Sequence, residues 1–134
     1  MRIVIKFGTN VIASAEGTIN KPRLLEMVRQ IAALHRAGHQ LALVSSGAIF
    51  VGRRHAPALP QRKDIPFKQM LAAIGQVKLL NIYEQLFDIY GITIAQALLT
   101  RSDLGNRARY LNARNTFDLL LEQGVLPIVN ENDV

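Results

Sequence analysis

Gly124-Val125-Leu126-Pro127-Ile128-Val129, followed at once by Asn130-Glu131-Asn132-Asp133-Val134, is the stretch that decides the fold. The apolar half reads as a buried strand over Val125 to Val129. The polar half reads as a site at that strand's C-terminal end, which is where open α/β sheets bind ligands. Pro127 argues against a central strand, because it removes one ladder donor. Three earlier stretches repeat the pattern. Arg2 to Phe7 runs into Gly8-Thr9-Asn10, Gln40 to Val44 into Ser45-Ser46-Gly47, and Ile92 to Leu99 into Thr100-Arg101.

Between these strands the apolar residues take a helical spacing. Leu24, Met27, Val28, Ile31 and Leu34 form one stripe, with Asn20 placed as N-cap, Pro22 in the first turn and Gly38 as the stop. A short helix is expected from Ala48. Residues 53 to 66 hold three prolines and four basic side chains, and read as a surface loop. Asp64 is placed to cap a long helix from about Pro66 to Tyr90, ended by Gly91. That helix is apolar on more than one face, so it is buried or packs against a partner. A polar loop after Arg101 should lead to a helix from about Arg107 to Gln123. The order βαβαβαβ predicts an α/β fold, a parallel sheet sandwiched by helices with right-handed crossovers. Strand order cannot be read this way.

Composition narrows the function. With 49% hydrophobic and 19% charged residues, the chain is globular and not disordered. A net charge of +6 raises the question of nucleic acid. The basic residues are dispersed apart from Arg53-Arg54 and Arg62-Lys63, Trp is absent, and no aromatic–basic interleaving offers base stacking. The reading is therefore no nucleic acid, and a charged small substrate explains the basic surface as well. No apolar run approaches the ~18 residues of a membrane span, and the start is too short in apolar core for a secretory signal. The expectation is no membrane. Absence of Cys excludes a disulfide frame and a thiolate metal site, and is compatible with a cytoplasmic location. His35 and His39 flank the Gly38 stop, so they are not expected to share a metal.

In a parallel sheet the four strand ends point the same way. Lys6, Gly8 and Thr9, then Ser46 and Gly47, then Thr100 and Arg101, then Asn130 and Asp133 are thereby placed on one rim. A lysine, small hydroxyls, glycines and carboxylates together suit phosphoryl transfer, which needs positioning and charge stabilisation more than covalent catalysis. Glycines let backbone N–H groups approach phosphate oxygens. Walker A spacing, a dinucleotide Gly-x-Gly-x-x-Gly and a Gly-x-Ser-x-Gly elbow are all missing. Each element alone is an ordinary turn or edge residue, and the case rests on their joint placement.

Several segments carry a resemblance. Ile5-Lys6-Phe7-Gly8-Thr9, Val44-Ser45-Ser46-Gly47-Ala48-Ile49 and Lys68-Gln69-Met70-Leu71-Ala72-Ala73-Ile74-Gly75-Gln76 are three of them. Leu98 to Asp103, Tyr110-Leu111-Asn112-Ala113-Arg114-Asn115-Thr116 and Pro127 to Asp133 are three more. In order, and over essentially the whole chain, they resemble the glutamate 5-kinase branch of the amino acid kinase family, which opens proline biosynthesis. The resemblance implies transfer of the γ-phosphate of ATP, with Mg²⁺, to the side-chain carboxylate of L-glutamate. It implies Lys6 at the transferring phosphoryl group and Gly8 and Thr9 in the phosphate-side loop. It implies Ser46, Gly47, Asn130 and Asp133 around glutamate, in a pocket that the feedback inhibitor proline also enters. The helix over 66–90 would make a homo-oligomer contact.

Asn10 stands where many relatives have Ser, a small departure. The larger one is length. The resemblance makes 1–134 the N-terminal, glutamate-binding part of the domain, without the nucleotide-binding half or any PUA domain. Little activity is then expected of these residues alone, and the strand-four edge and several apolar helix faces are expected to lie bare. Alternatives are another member of the family, such as an acetylglutamate or aspartate kinase, or a non-catalytic glutamate- or proline-binding or dimerisation module.

Overall fold

In the computed structural model, which describes residues 1–131, four parallel strands form one sheet in the order β1-β2-β4-β3. The elements are β1 (Arg2–Phe7), α1 (Thr9–Ile12), α2 (Lys21–Arg36), β2 (Gln40–Ser45), α3 (Ala48–His55) and α4 (Ile65–Asp88). They continue with β3 (Ile94–Leu99), α5 (Arg101–Gly105), α6 (Arg107–Glu122) and β4 (Leu126–Glu131).

Strand alternation sorts the side chains into two faces. Ile3, Ile5 and Phe7 of β1 lie beside Leu41, Leu43 and Ser45 of β2, and Leu43 beside Ile128 of β4. These residues form the core with Leu24, Val28 and Ile31 of α2 and Leu79, Tyr83 and Phe87 of α4. Each fully buried side chain of this size contributes roughly 1.5–3 kcal/mol, so this face holds most of the stabilisation. The opposite face carries α5 and α6, where Arg2 reaches Asp118 at 2.8 Å. It is thinly covered: Val4 in β1 and Leu119 in α6 remain exposed, and α6 buries none of its residues.

The helix boundaries follow from local chemistry. Asn20 accepts from Arg23 N at 3.1 Å, Asp64 from Phe67 N at 3.0 Å and Asn106 from Arg109 N at 3.0 Å. Gly38 and Gly91 follow α2 and α4 with φ of 88° and 68°, the left-handed region that glycine enters without strain.

Five expectations need correction. The strand-four edge is not bare, because β4 pairs with β2 on one side and β3 on the other. The edges are β1 and β3. Pro127 is tolerated inside because Leu126 N donates to Thr93 O. Alternation then turns the proline nitrogen toward β2, where the ladder begins only at Leu43–Ile128. The loop expected over 53–66 is shorter, since α3 runs through His55 and α4 starts at Ile65. The polar loop after Arg101 is the helix α5, built on a capping box in which Thr100 and Asp103 satisfy each other's backbone N–H groups. The break after β1 likewise holds the one-turn helix α1.

One close contact governs the first face. Gly52 of α3 and Gly75 of α4 sit where the helices cross. A Cβ on Gly75 would lie 1.7 Å from Ala48 O, and one on Gly52 1.9 Å from Leu71 O. Only glycine lets the two backbones approach this far.

Candidate functional site

The C-terminal rim of the sheet is built by three short turns. β1 ends at Phe7, and its carbonyl accepts both the backbone N–H of Ser46 at 3.0 Å and the Ser46 hydroxyl at 3.2 Å. That pair of hydrogen bonds ties the end of β1 to the turn after β2. The Thr9 and Ser46 hydroxyls then stand 3.5 Å apart. Gly47 follows at φ 100° and starts α3, and a Cβ there would press on Ile12 at 3.1 Å. Glycine at 47 is demanded by the fold.

Gly8 is different. Its backbone is extended, with φ −76° and ψ 166°, and an added Cβ would meet nothing within 4 Å. Nothing in the fold requires glycine at this position. Open space above a glycine at a strand end is what a phosphate-bearing ligand would use.

Lys6 lies one residue before Phe7 and therefore on the opposite face, exposed, level with Val44. Among the described residues no ion pair holds it. Beside it on that face, a cleft of about 320 Å³ is lined by Val44, Val129, Leu99, Leu104, Thr100, Arg101 and Asn130. A second cleft of about 300 Å³ lies between Gly17, α3 and the loop at 56–61, where Arg53 already stacks on the Phe67 ring. It shares none of the rim residues.

Asn130 sits in β4 next to the β2 turn and is buried. Its Nδ2 donates to Gln76 Oε1 on α4 at 2.9 Å. Ser45 is buried too, and its hydroxyl meets Tyr83 Oη of α4 at 2.7 Å. Burial pushes the Tyr83 phenol up to about 12, while the Ser45 hydrogen bond pulls it down. Thr100 and Asp103 cap α5 at the end of β3, and the Thr100 N–H and hydroxyl hold the Asp103 carboxyl below the usual range.

The structure thus brings Lys6, Gly8, Thr9, Ser46, Gly47 and Asn130 to one rim, as the strand reading predicted. Asp133 lies outside the described residues. His35 donates from Nε2 to Gly124 O at 2.8 Å, a structural bond between α2 and the turn before β4. Sequence reasoning missed Gln76 and Tyr83. Gln76 stood only as the end of a segment that carries the resemblance, Tyr83 lay in a helix read as apolar, and the signal available was a polar atom recurring after seven residues, two helical turns, on its sheet-facing side.

Comparison with known proteins gives the family. The description "Amino acid kinase family" matches residues 1–134. A glutamate 5-kinase of Dehalococcoides mccartyi is 52% identical, covering 99% of this chain and 36% of the relative. One from Herpetosiphon aurantiacus is 50% identical with the same coverage. One from Escherichia coli is 48% identical over 98% of this chain and 36% of its own length. The chain therefore spans about a third of the length of the curated relatives it matches.

Proposed function

We propose, starting from a chain that belongs to the amino acid kinase family, that these residues form the acidic-substrate half of an ATP-dependent glutamate 5-kinase. The observation that carries the reading is the rim itself. Two hydroxyls, a buried carboxamide, an unobstructed glycine and a lysine with no ion-pair partner among the described residues stand where three strands end, the lysine on the other sheet face from the carboxamide. Identity near 50% to glutamate 5-kinases over the same residues supports the choice of L-glutamate.

In this reading a γ-carboxylate oxygen of glutamate attacks the γ-phosphorus of ATP. The new O–P bond forms as the bond to the ADP oxygen breaks, giving γ-glutamyl 5-phosphate and ADP. Ser46, Gly47, Asn130 and Asp133 hold glutamate, with the Asp133 carboxylate on its α-ammonium. Gly8 and Thr9 meet phosphate oxygens. The Lys6 ammonium neutralises charge that builds on the transferring group, which affects the transition state more than the ground state. Mg²⁺ would neutralise phosphate charge. Among the described residues no group of three His, Asp or Glu side chains could hold a metal.

Proline shares its α-amino and α-carboxylate groups with glutamate and would compete for the same pocket. The exposed Met70 and Val77 of α4 and Ile89 just after it suit contact between copies, a homo-oligomer through residues 66–90. Among the described residues no helix is long and apolar enough to cross a membrane. The reading places the protein in the cytoplasm, as part of proline biosynthesis.

The test is to trap acyl phosphate with hydroxylamine. It uses a polypeptide carrying these residues together with the nucleotide half of an amino acid kinase, given ATP, Mg²⁺ and L-glutamate. Hydroxamate from glutamate, and not from aspartate or N-acetylglutamate, is expected. Lys6→Ala should lower turnover with little change in glutamate KM. Preference for either control would reassign the substrate.

A further inference from the structure

Two polar side chains on the sheet-facing side of α4 are not explained by the apolar core around them. Tyr83 is fully enclosed, and phenylalanine would fill the same space. Its hydroxyl must therefore be accounted for by what it bonds. The Tyr83 hydroxyl shares one hydrogen bond with Ser45 Oγ at 2.7 Å, and Ser45 Oγ also reaches Ser46 O at 3.2 Å. The Tyr83 ring also leans on Phe7, with centroids 6.4 Å apart at 43°. Phe7 O in turn takes both bonds from Ser46. Tyr83 therefore touches both strands from which Ser46 hangs.

Gln76 lies seven residues earlier on the same helix face. Its Oε1 accepts from Asn130 Nδ2 at 2.9 Å. A carboxamide is nearly symmetric in shape but not in chemistry. The pairing with Gln76 holds the Asn130 carboxamide against α4 and fixes where it lies at the strand end.

We propose that Gln76 and Tyr83 are positioning residues for the amino-acid substrate. Tyr83 sets Ser46 through Ser45 and Phe7, and Gln76 sets Asn130. One rigid helix thus fixes the separation and orientation of substrate-facing groups on adjacent strand ends. The inference rests on the glutamate reading of the rim, and neither side chain touches substrate itself.

The experiment is calorimetric titration of L-glutamate into the chain and into Tyr83→Phe, Ser45→Ala, their double variant, Gln76→Met and Gln76→Glu. Thermal melts run in parallel. Tyr83→Phe and Ser45→Ala should each weaken binding about three- to tenfold, the range set by one net hydrogen bond. The double variant should weaken it no further than either single change, because both break one chain of bonds. Gln76→Met should weaken binding similarly. Gln76→Glu keeps an acceptor in place and should recover most of the loss. Lowered melting temperatures with unchanged affinity would overturn the inference, since a hydrogen bond that only stabilises the fold moves the first and not the second. Equal binding by all variants would overturn this inference alone. No response of the unsubstituted chain at millimolar glutamate would overturn the substrate reading and this inference with it.

Discussion

Gly75→Ala is the most revealing single change, because it puts one methyl group between two helix backbones. An added Cβ would sit 1.7 Å from Ala48 O and 2.5 Å from Gly52 N, against 3.4 Å or more for ordinary contact. Both neighbours are backbone atoms, so no side chain can swing aside. The helices must move apart by more than an ångström. Overpacking of this kind costs about 1–3 kcal/mol, sometimes more. Alanine in a helix interior returns about 1 kcal/mol relative to glycine. With two backbone clashes the upper end of the overpacking range applies, and the net loss should be about 2 kcal/mol or more. Ala48 follows directly on Gly47, so displacement of α3 also reaches the rim at Ser46. Urea unfolding reads the result as a lower midpoint at unchanged slope, and Ala73→Gly, at an exposed site on the same helix, serves as control with a loss of about 1 kcal/mol. A Gly75→Ala chain as stable as its parent would refute the reasoning. The α3–α4 crossing would then be free to widen and could not hold the rim in place.

Other outcomes follow from the same geometry. Spectrophotometric titration should find one phenol, Tyr83, ionising near pH 12. Its pKa is raised on folding, so its contribution is full below about pH 10 and is lost as the pH rises through about 12. The size is about 3 kcal/mol, and Tyr83→Phe should abolish that alkaline loss. Asn20→Ala removes the acceptor for Arg23 N and should cost about 1 kcal/mol in a thermal melt. The Thr100 N–H and hydroxyl hold the Asp103 carboxyl below its ordinary value. Its contribution is present above that pH and lost as the pH falls through the depressed value, so Asp103→Asn should flatten the acid limb of a melting-temperature profile.

The sheet and its helices were legible because their signals are local. Asn20, Asp64 and Gly38 each announce a boundary within a few residues of where they act, and the β-branched run of Arg2 to Phe7 matches its strand to the residue. The rim was legible because parallel strands must end on one side. Strand order was not, since it depends on which crossover passes over which neighbour, and so the edge was assigned to β4 when it belongs to β1 and β3. Helix α5 was missed because Thr100 and Asp103 read as polar loop until their mutual hydrogen bonds are known. Gln76, Tyr83 and the Gly52–Gly75 contact were missed for a related reason. Their partners lie at 130, at 45 and across a helix crossing, and no local pattern reports a distance between segments.

The most direct measurement is a backbone-amide NMR titration of this chain with L-glutamate. The account predicts saturable shifts at Ser46, Gly47 and Asn130 together, absent with N-acetylglutamate, whose α-nitrogen carries no charge. Shifts confined to the Arg53–Arg54 cleft, or none at the rim, would contradict the claim that these strand ends are an acidic-substrate site.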